Sequence, residues 1–518
     1  MTVRSLRIAL LEHPRQSSWL HINDIANTPL SSSLMTGYAA ASLLAEGYQV
    51  SVVDAHMGGL SAAAAVDAVA AATPDLVGVH LVYDWSDGAH VRRLLADVRA
   101  AVGAAPIVLY GFYPTFGYGD LLRAMPEVAA AVLGEPELAL VELARATAAG
   151  ARLPEAFGAV PGLAIRRDGA VARTTGRPPI ADLDALPFPH RTAAMLSLRE
   201  VNIAGSRGCY GACTFCSINP FYGERSTWRP RSPELVVAEM AAVLEAHPEK
   251  QRFYFVDPNF FGPGERGRRR ALTLARLIRE RFSVKFGLEG RVNDIDDEVI
   301  GALVEAGFDE ILIGLESGSD ATLARLNKRT TVAQNRRALQ VLRAHGVEPN
   351  VGFIMFEPDS SLQDVRVNLR FLEEVELLSR LSVTANVLYH QQILLGPTPA
   401  YRKALAEGRL VVSPVNPYEG TVLYRSAEVA FLAETMAEAC RQLFAGLPRE
   451  VWLCADQASD PVLRSLNDEL VALFRRVLDG LSAKTLEPCP EAAREIVSGF
   501  RRRLPPPKDG EDRFHRGA

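Results

Sequence analysis

Apolar runs of strand length alternate with helix-like segments along the first 155 residues. Arg7–Leu11 and Leu76–Val82 have the length and composition of buried strands, whereas Leu34–Glu46 and His90–Val102 have those of helices. This alternation is typical of a parallel sheet covered by helices on both faces. It predicts an α/β fold with a doubly wound, Rossmann-like domain over residues 1–155, whose ligands bind at the carboxyl ends of the strands.

A proline-rich stretch separates this region from the next. Leu163–Arg167 and Ala170–Arg173 have the pattern of a hairpin that turns at Asp168-Gly169, and the prolines that follow favour extended backbone. We therefore expect residues 156–195 to form a linker.

A second alternation of strands and helices begins near residue 196. The six expected strands are Val201–Ala204, Phe253–Val256, Lys285–Leu288, Glu310–Gly314, Asn350–Met355 and Val383–Leu388. Six such units predict a partial (β/α)6 barrel over residues 196–405, with its chemistry at the carboxyl ends of the strands. Residues 406–503 are expected to form a mainly helical region on the substrate side, and residues 504–518 a disordered tail.

The composition excludes several classes of protein. The chain has 518 residues, of which 48% are hydrophobic and 23% charged, as expected for several globular domains. Its net charge of −5 gives no basic footprint for nucleic acid. The start of the chain lacks a signal-peptide core, and no stretch has the pattern of a membrane span. We therefore expect a cytoplasmic protein.

Three of the six cysteines lie within eight residues. Cys209, Cys213 and Cys216 have the spacing C-x3-C-x2-C directly after a predicted strand. Thiolates from one short loop are suitable ligands for an iron–sulfur cluster. A structural zinc site would need a fourth ligand that the neighbouring sequence does not offer, and a thiol–disulfide pair would leave Cys209 unexplained.

The cysteine motif, with an aromatic residue before the last cysteine, resembles that of the radical SAM superfamily. Phe253–Phe260, Gly287–Arg291, Ile313–Gly318 and Leu326–Lys328 also resemble strand ends and loops of that family. The resemblance implies a [4Fe–4S] cluster with one iron free to bind S-adenosylmethionine (SAM). Reductive cleavage of SAM there gives a 5′-deoxyadenosyl radical.

The resemblance also implies six contacts with SAM. They are Phe215 and Ser217 near the adenine, Asp257 near the methionyl amine, Arg291 on the SAM carboxylate, and Glu316 and Ser317 on the ribose or methionyl group. For Asp257 and Arg291 the alternative is an ordinary salt bridge at the mouth of the barrel.

The Rossmann-like region ahead of this motif resembles the cobalamin-binding radical SAM methyltransferases. Supporting segments include Pro74–Gly78, Tyr110–Thr115, Leu133–Glu137 and the connector Leu183–Pro189. The resemblance implies cobalamin contacts from the loops after the third, fourth and fifth strands. These are Tyr83, Asp84, Gly111, Phe112, Tyr113, Gly134 and Glu135. For the aromatic residues the alternative is core packing.

One motif resembles a cobalt-binding sequence but stands in a different place. Asp54–Gly59 fits D-x-H-x-x-G, through which some cobalamin proteins ligate cobalt by histidine. Because the motif follows the second strand rather than the first, we expect His56 to lie off the corrin axis.

Together the resemblances imply a methyltransferase that uses methylcobalamin and a 5′-deoxyadenosyl radical to methylate an unactivated carbon of a small molecule. They also imply an external electron donor such as flavodoxin or ferredoxin, and a role in antibiotic biosynthesis. A cyclisation, rearrangement or oxidation without methyl transfer is the first alternative. A non-catalytic cofactor-binding protein is the second.

Overall fold

The N-terminal region folds around a seven-stranded sheet in the computed structural model, which describes residues 6–15, 32–82, 89–150, 155–223, 228–413, 418–447, 451–452, 457 and 459–504. The strands are β1 (Arg7–Glu12), β2 (Gln49–Asp54), β3 (Leu76–His80), β4 (Ile107–Tyr110), β5 (Val128–Val132), β6 (Leu163–Arg167) and β7 (Ala170–Arg173). Their order is β2-β1-β3-β4-β5-β6-β7, and β1 to β5 are parallel.

The two faces of this sheet are buried in separate apolar clusters. In β1, Ile8 and Leu10 join one cluster, whereas Ala9 and Leu11 join the other. Alternate residues of a strand point to opposite faces, so a strand covered on both sides is apolar throughout. The doubly wound fold predicted from the continuous apolar runs is therefore confirmed.

The hairpin predicted in the linker belongs to the first sheet. β6 pairs antiparallel with β5, and β7 pairs antiparallel with β6. The expectation that this segment only connects domains was wrong, because Leu163, Ala164 and Ile165 are buried in the same clusters as β5. Its apolar residues thus extend the sheet past its last parallel strand.

The central region contains a five-stranded parallel sheet. Its strands are β8 (Val201–Ile203), β11 (Arg252–Phe255), β12 (Lys285–Arg291), β13 (Phe308–Glu316) and β14 (Asn350–Phe353), in the order β14-β13-β12-β11-β8. A two-stranded ribbon, β9 (Ser206–Arg207) with β10 (Arg229–Pro230), precedes β11 in the chain. A three-stranded antiparallel sheet follows, formed by β15 (Leu394–Leu395), β16 (Leu410–Val412) and β17 (Glu419–Val422).

The sixth strand expected at Val383–Leu388 is a helix instead. Leu381–Tyr389 buries Leu381, Ala385 and Leu388 in the core of the central region. Burial along one face of a helix overrides the β-propensity of its valine and threonine residues. A parallel bridge joins Phe356, three residues after β14, to Gln391, two residues after this helix.

The helices cover these sheets and form the C-terminal region. In the N-terminal region they are Ser32–Ala45, Ala62–Ala71, Ala89–Val102, Phe112–Ala124, Glu137–Ala148 and Glu155–Gly158. In the central region they are Ala193–Ser197, Ile218–Tyr222, Pro233–Ala246, Gly264–Arg281, Asp297–Glu305, Asp320–Arg325, Val332–Ala344, Leu362–Glu374, Leu381–Tyr389 and Pro399–Ala406. The C-terminal helices are Ala427–Gly446, Pro461–Ser482 and Pro490–Arg501, and they share the core of the central sheet.

A membrane span would need a long and strongly apolar helix. None of the helices in the described ranges meets that requirement. The expected tail at 504–518 lies outside the described residues except for Leu504.

Candidate functional site

The three cysteines lie on a loop directly after β9. Gly208 has φ of 76°, a left-handed conformation that favours glycine, and it turns the chain into Cys209. Backbone contacts fix the loop: the Thr214 N–H donates to Leu326 O at 2.9 Å, and the Asn327 side-chain amide donates to Ala212 O at 2.7 Å. The segment around Leu326 therefore serves as a support for the cysteine loop.

The surroundings of the thiols fit sulfur ligands of a cluster. The Gly211 N–H donates to Cys209 Sγ at 3.3 Å, and Arg291 Nη1 donates to Cys213 Sγ at 3.4 Å. N–H donors and a nearby cation stabilise a thiolate, the form in which cysteine ligates iron. Burial has the opposite effect on Cys216: it raises the pKa of this thiol to about 12, so the thiol keeps its proton until iron displaces it.

The described side chains offer no ready-made site for a single metal ion. In the described ranges, no three His, Cys, Asp or Glu side chains are close enough to hold one metal ion. A four-iron cluster takes each cysteine thiolate on its own iron.

Glu316 and Lys328 form a buried ion pair at the end of β13. Lys328 Nζ lies 2.6 Å from Glu316 Oε1, and burial leaves both residues less than a tenth exposed. Glu316 has φ of 63°, a conformation that is uncommon for a residue with a side chain. Such strained residues cluster at functional sites. The sequence pointed to Glu316 but gave no role to Lys328.

Two other predicted SAM contacts are tied into the protein. Ser317 Oγ donates to Asn368 Oδ1 at 2.7 Å and is fully buried. Asp257 accepts a hydrogen bond from the Ser206 N–H, in the strand that leads to the cysteine loop. Burial raises the pKa of the Asp257 carboxyl to about 6. In this structure both residues hold backbone or side chains in place, and their contacts with SAM stay predictions.

Arg291 contacts the cysteine loop from the end of β12. Besides Cys213, it donates to Lys328 O and to Asn293 Oδ1, and it lies 5.4 Å from the centre of the Tyr210 ring. The predicted pairing of Arg291 with the SAM carboxylate would use a guanidinium that already touches the cysteine loop. Phe215 is half-buried on the same loop, and Ser217 is buried at its end.

A second polar cluster beside Tyr210 was not predicted. The Tyr210 hydroxyl donates to Asp294 Oδ1, and the Asn259 amide donates to Asp294 Oδ2 at 3.1 Å. Burial raises the pKa of the Asp294 carboxyl to about 6. The presence of Tyr210 inside the cysteine motif was the one sequence signal for this cluster. Its partner Asp294 is distant in the sequence, so the pairing could not be predicted.

A cavity of about 710 Å³ lies between the first sheet and the cysteine loop. Gly134 and Glu135, two of the predicted cobalamin contacts, line it together with Cys213 and Cys216. Further lining residues come from the helix after β4, the connector, the cysteine loop and the helix Pro399–Ala406, namely Thr115, Phe116, Tyr118, Arg173, Arg177, Asn219, Phe221, Tyr222 and Arg402. Doubly wound folds bind their ligands at the loops that follow the carboxyl ends of the strands.

The predicted aromatic contacts after β4 are packed against other rings. Phe112 stacks on Phe221 of the cysteine-loop helix, with ring centres 4.1 Å apart and planes 14° apart. Tyr113 is buried, and its ring lies 4.6 Å from that of Tyr418. Phe112 thus reaches the edge of the cavity through Phe221, whereas Tyr113 packs in the core.

Gly111 is required by the close approach of two strands. It has φ of 112°, and a Cβ there would overlap Leu81 O and lie 2.6 Å from the His80 ring. The glycine at this position is therefore explained by packing alone. Tyr83 and Asp84 lie outside the described residues.

His56 lies in the turn after β2. β2 is the edge strand of the first sheet, whereas the cavity is reached from the loops after β4 and β5. The Asp54 carboxylate accepts the Met57 N–H and the Thr192 hydroxyl, so the turn is held by protein contacts. Burial lowers the pKa of His56 to about 4.

Comparisons with known proteins agree with this division of the chain. The Radical SAM superfamily model matches residues 203–372. An uncharacterized methyltransferase of Pyrococcus horikoshii is 24% identical over 383 residues, covering 72% of this chain and 79% of the relative. The anaerobic magnesium-protoporphyrin IX monomethyl ester cyclase of Rubrivivax gelatinosus is 29% identical over 329 residues, covering 61% of this chain and 58% of the relative.

Two solved structures share the fold over nearly the whole chain. The cobalamin-dependent radical SAM enzyme OxsB with aqua-cobalamin bound has a TM-score of 0.74 and 18% identity, covering 96% of this chain and 76% of that chain. The radical SAM methyltransferase TsrM of Kitasatospora setae with cobalamin and a [4Fe–4S] cluster bound has a TM-score of 0.64 and 16% identity, covering 96% and 99%. Residues 203–372 are therefore a radical SAM domain, and the chain has the fold of the cobalamin-dependent radical SAM enzymes, which confirms the resemblance predicted from the sequence.

Proposed function

We propose that this protein is a cobalamin-dependent radical SAM methyltransferase that methylates an unactivated carbon of a small molecule. When bound, the [4Fe–4S] cluster and SAM supply a hydrogen-abstracting radical, and cobalamin supplies a methyl group. The chain's own residues hold these groups against one cavity.

The observation that carries the proposal is the shared wall of the cavity. Gly134 and Glu135 lie in the loop at the carboxyl end of β5 in the first sheet, and Cys213 and Cys216 lie in the radical SAM domain. Both pairs line the same space of about 710 Å³, a volume suited to a bound organic molecule. A radical formed beside the cysteines and a group held by the first sheet would therefore meet one substrate.

Protein residues keep this space in shape. Phe112 and Phe221 close one side by stacking across the two domains. The Gly134 N–H donates to Thr115 Oγ1 at 3.0 Å, which fixes the loop after β5 against the helix after β4. Apolar walls of this kind limit water, and a substrate radical needs such protection from side reactions.

The decisive experiment uses the full chain reconstituted anaerobically with iron, sulfide and cobalamin. It is incubated with SAM labelled in the methyl group, a low-potential reductant and extracts of candidate substrates. We expect 5′-deoxyadenosine, S-adenosylhomocysteine and a product that carries the label. Formation of 5′-deoxyadenosine with an unlabelled product would contradict methyl transfer, and a folded chain that binds no cobalamin would contradict the whole proposal.

A second candidate function is a ring closure without methyl transfer. The similarity to the cyclase of Rubrivivax gelatinosus favours it, since that relative matches 61% of this chain. It predicts a product without label in the same experiment, together with one 5′-deoxyadenosine for each turnover.

A further inference from the structure

The charged groups on the wall of the interdomain cavity are not balanced. Among the described residues, its lining includes one carboxylate, Glu135, and three arginines, Arg173, Arg177 and Arg402. Whether this excess of positive charge is available to a ligand depends on which of these groups already have partners.

Two of the four groups are neutralised within the protein. Glu135 lies 2.8 Å from Arg207 and 3.0 Å from Arg229, so its charge is more than balanced. Arg177 forms two hydrogen bonds with the carboxylate of Glu142, at 3.1 and 2.6 Å. Neither group is left to attract a ligand.

Arg173 and Arg402 remain. Neither has a carboxylate within ion-pair distance in the part of the chain that the structure describes, and both side chains are exposed at the cavity. Arg173 ends β7 of the first sheet, whereas Arg402 lies on the helix Pro399–Ala406 beyond the radical SAM strands. The two cations thus line one cavity from two separate elements of the fold.

We infer that Arg173 and Arg402 form an anion subsite of this cavity, which binds a phosphate or carboxylate group of its ligand. A guanidinium presents paired N–H donors that match these oxyanions, and it keeps its charge at any working pH. The inference deepens the proposed function and rests on it, since it specifies that the organic molecule bound in the cavity carries a negative charge.

Two bound molecules could bring that anion. A substrate could carry it, or it could be the phosphodiester of the nucleotide tail of cobalamin. Both sources would present an anion to the two arginines. Cobinamide distinguishes them, because it keeps the corrin ring of cobalamin and lacks the nucleotide tail.

The test uses the full chain with its cluster reconstituted, in the forms Arg173→Gln, Arg402→Gln and unchanged. Arg167→Gln is the matched control, because Arg167 lies in the same hairpin, has a side chain 71% exposed and does not line the cavity. Calorimetric titration with inorganic pyrophosphate measures the subsite. We expect each cavity variant to weaken pyrophosphate binding about tenfold and the control to leave it unchanged.

Cobalamin and cobinamide titrations then identify the source. Loss of affinity for cobalamin but not for cobinamide assigns the subsite to the nucleotide tail. Unchanged affinity for both corrins, with pyrophosphate still binding to the cobalamin-loaded enzyme, assigns it to the substrate. The inference is overturned if the unchanged chain fails to bind pyrophosphate, or if the cavity variants bind it as the control does. Iron content and 5′-deoxyadenosine formation in the same samples report separately on the proposed function.

Discussion

Arg207 and Glu137 form a buried ion pair between the central region and the N-terminal region, with Arg207 Nη2 lying 2.6 Å from Glu137 Oε1. Arg207 ends β9, two residues before Cys209, and Glu137 begins the helix after β5. Glu135 pairs with the same guanidinium at 2.8 Å. The loop of the first sheet that lines the cavity is thus tied to the strand that leads into the cysteine loop.

Removal of Arg207 should destabilise the protein and loosen this connection. Arg207→Ala leaves Glu137, which is fully buried, and Glu135 without this partner. Losing one member of a buried ion pair costs about 3–5 kcal/mol. We expect a markedly lower thermal midpoint and loss of bound cobalamin during gel filtration, both measured on the reconstituted chain.

An exposed pair of the same kind provides the control. Arg145 lies 2.7 Å from Glu46, but the side chains are 57% and 38% exposed. Because water screens the charges of an exposed ion pair, Arg145→Ala should change the thermal midpoint little. An equal decrease of the thermal midpoint in the two variants would show that the Arg207 ion pair contributes no more than a surface pair to joining the domains.

The ion pair of Glu316 and Lys328 can be displaced without changing any charge. An ideal Cβ at Gly314 would overlap Glu316 Oε1 and lie 2.7 Å from Lys328 Nζ. Gly314→Ala should therefore push the predicted SAM-binding carboxylate out of position. We expect about tenfold weaker SAM binding by equilibrium dialysis, with the iron content unchanged.

Replacement of the neighbouring Gly352 by alanine is the control for the general effect of replacing a glycine. A Cβ at Gly352 would meet Gly314 Cα at 3.6 Å and Glu316 Oε2 at 3.8 Å, which are ordinary contacts. Gly352→Ala should bind SAM as the unchanged chain does. If both variants keep full affinity, the predicted role of Glu316 in SAM binding is wrong.

The elements that the sequence predicted well are those whose signal is local. β1 and β3 are apolar runs that the first sheet buries on both faces, and Cys209, Cys213 and Cys216 lie within one loop. Periodicity and spacing carry this kind of information, because the residues that decide the outcome are neighbours in the chain.

The expectations that were wrong, and the partners that were missed, depend on contacts between distant residues. Val383–Leu388 has the composition of a strand, but it forms a helix that is buried in one core with the C-terminal helices. Arg207 is a single charged residue whose partners, Glu135 and Glu137, lie about seventy residues away. No local pattern can indicate such a pairing, since tertiary packing overrides propensity.

Each cluster cysteine should be indispensable for iron binding and dispensable for the rest of the fold. Cys209→Ala, Cys213→Ala and Cys216→Ala each remove one ligand of a cluster that already has an iron without a protein ligand. We expect loss of the cluster absorption and of 5′-deoxyadenosine formation, whereas cobalamin stays bound. Cys489→Ala is the control, because that cysteine precedes the helix Pro490–Arg501 in the C-terminal region. A full cluster in any of the three variants would contradict the assignment.

The stack of Phe112 on Phe221 should control how firmly the cavity holds a corrin. Phe221 lies on the short helix after the cysteine loop, is 3% exposed and lines the cavity. Phe221→Ala removes the ring that joins the two domains there, and truncating a buried phenylalanine costs about 3–5 kcal/mol.

We expect this variant to bind cobalamin at least tenfold more weakly in a spectroscopic titration, because the wall of the cavity no longer stays closed. Phe221→Tyr retains the ring and should restore most of the affinity. Phe431→Ala controls for general loss of core packing, since Phe431 is buried in the helix Ala427–Gly446 and does not line the cavity. If Phe431→Ala weakens cobalamin binding as much as Phe221→Ala does, the effect comes from global destabilisation and the stack has no specific role in forming the corrin site.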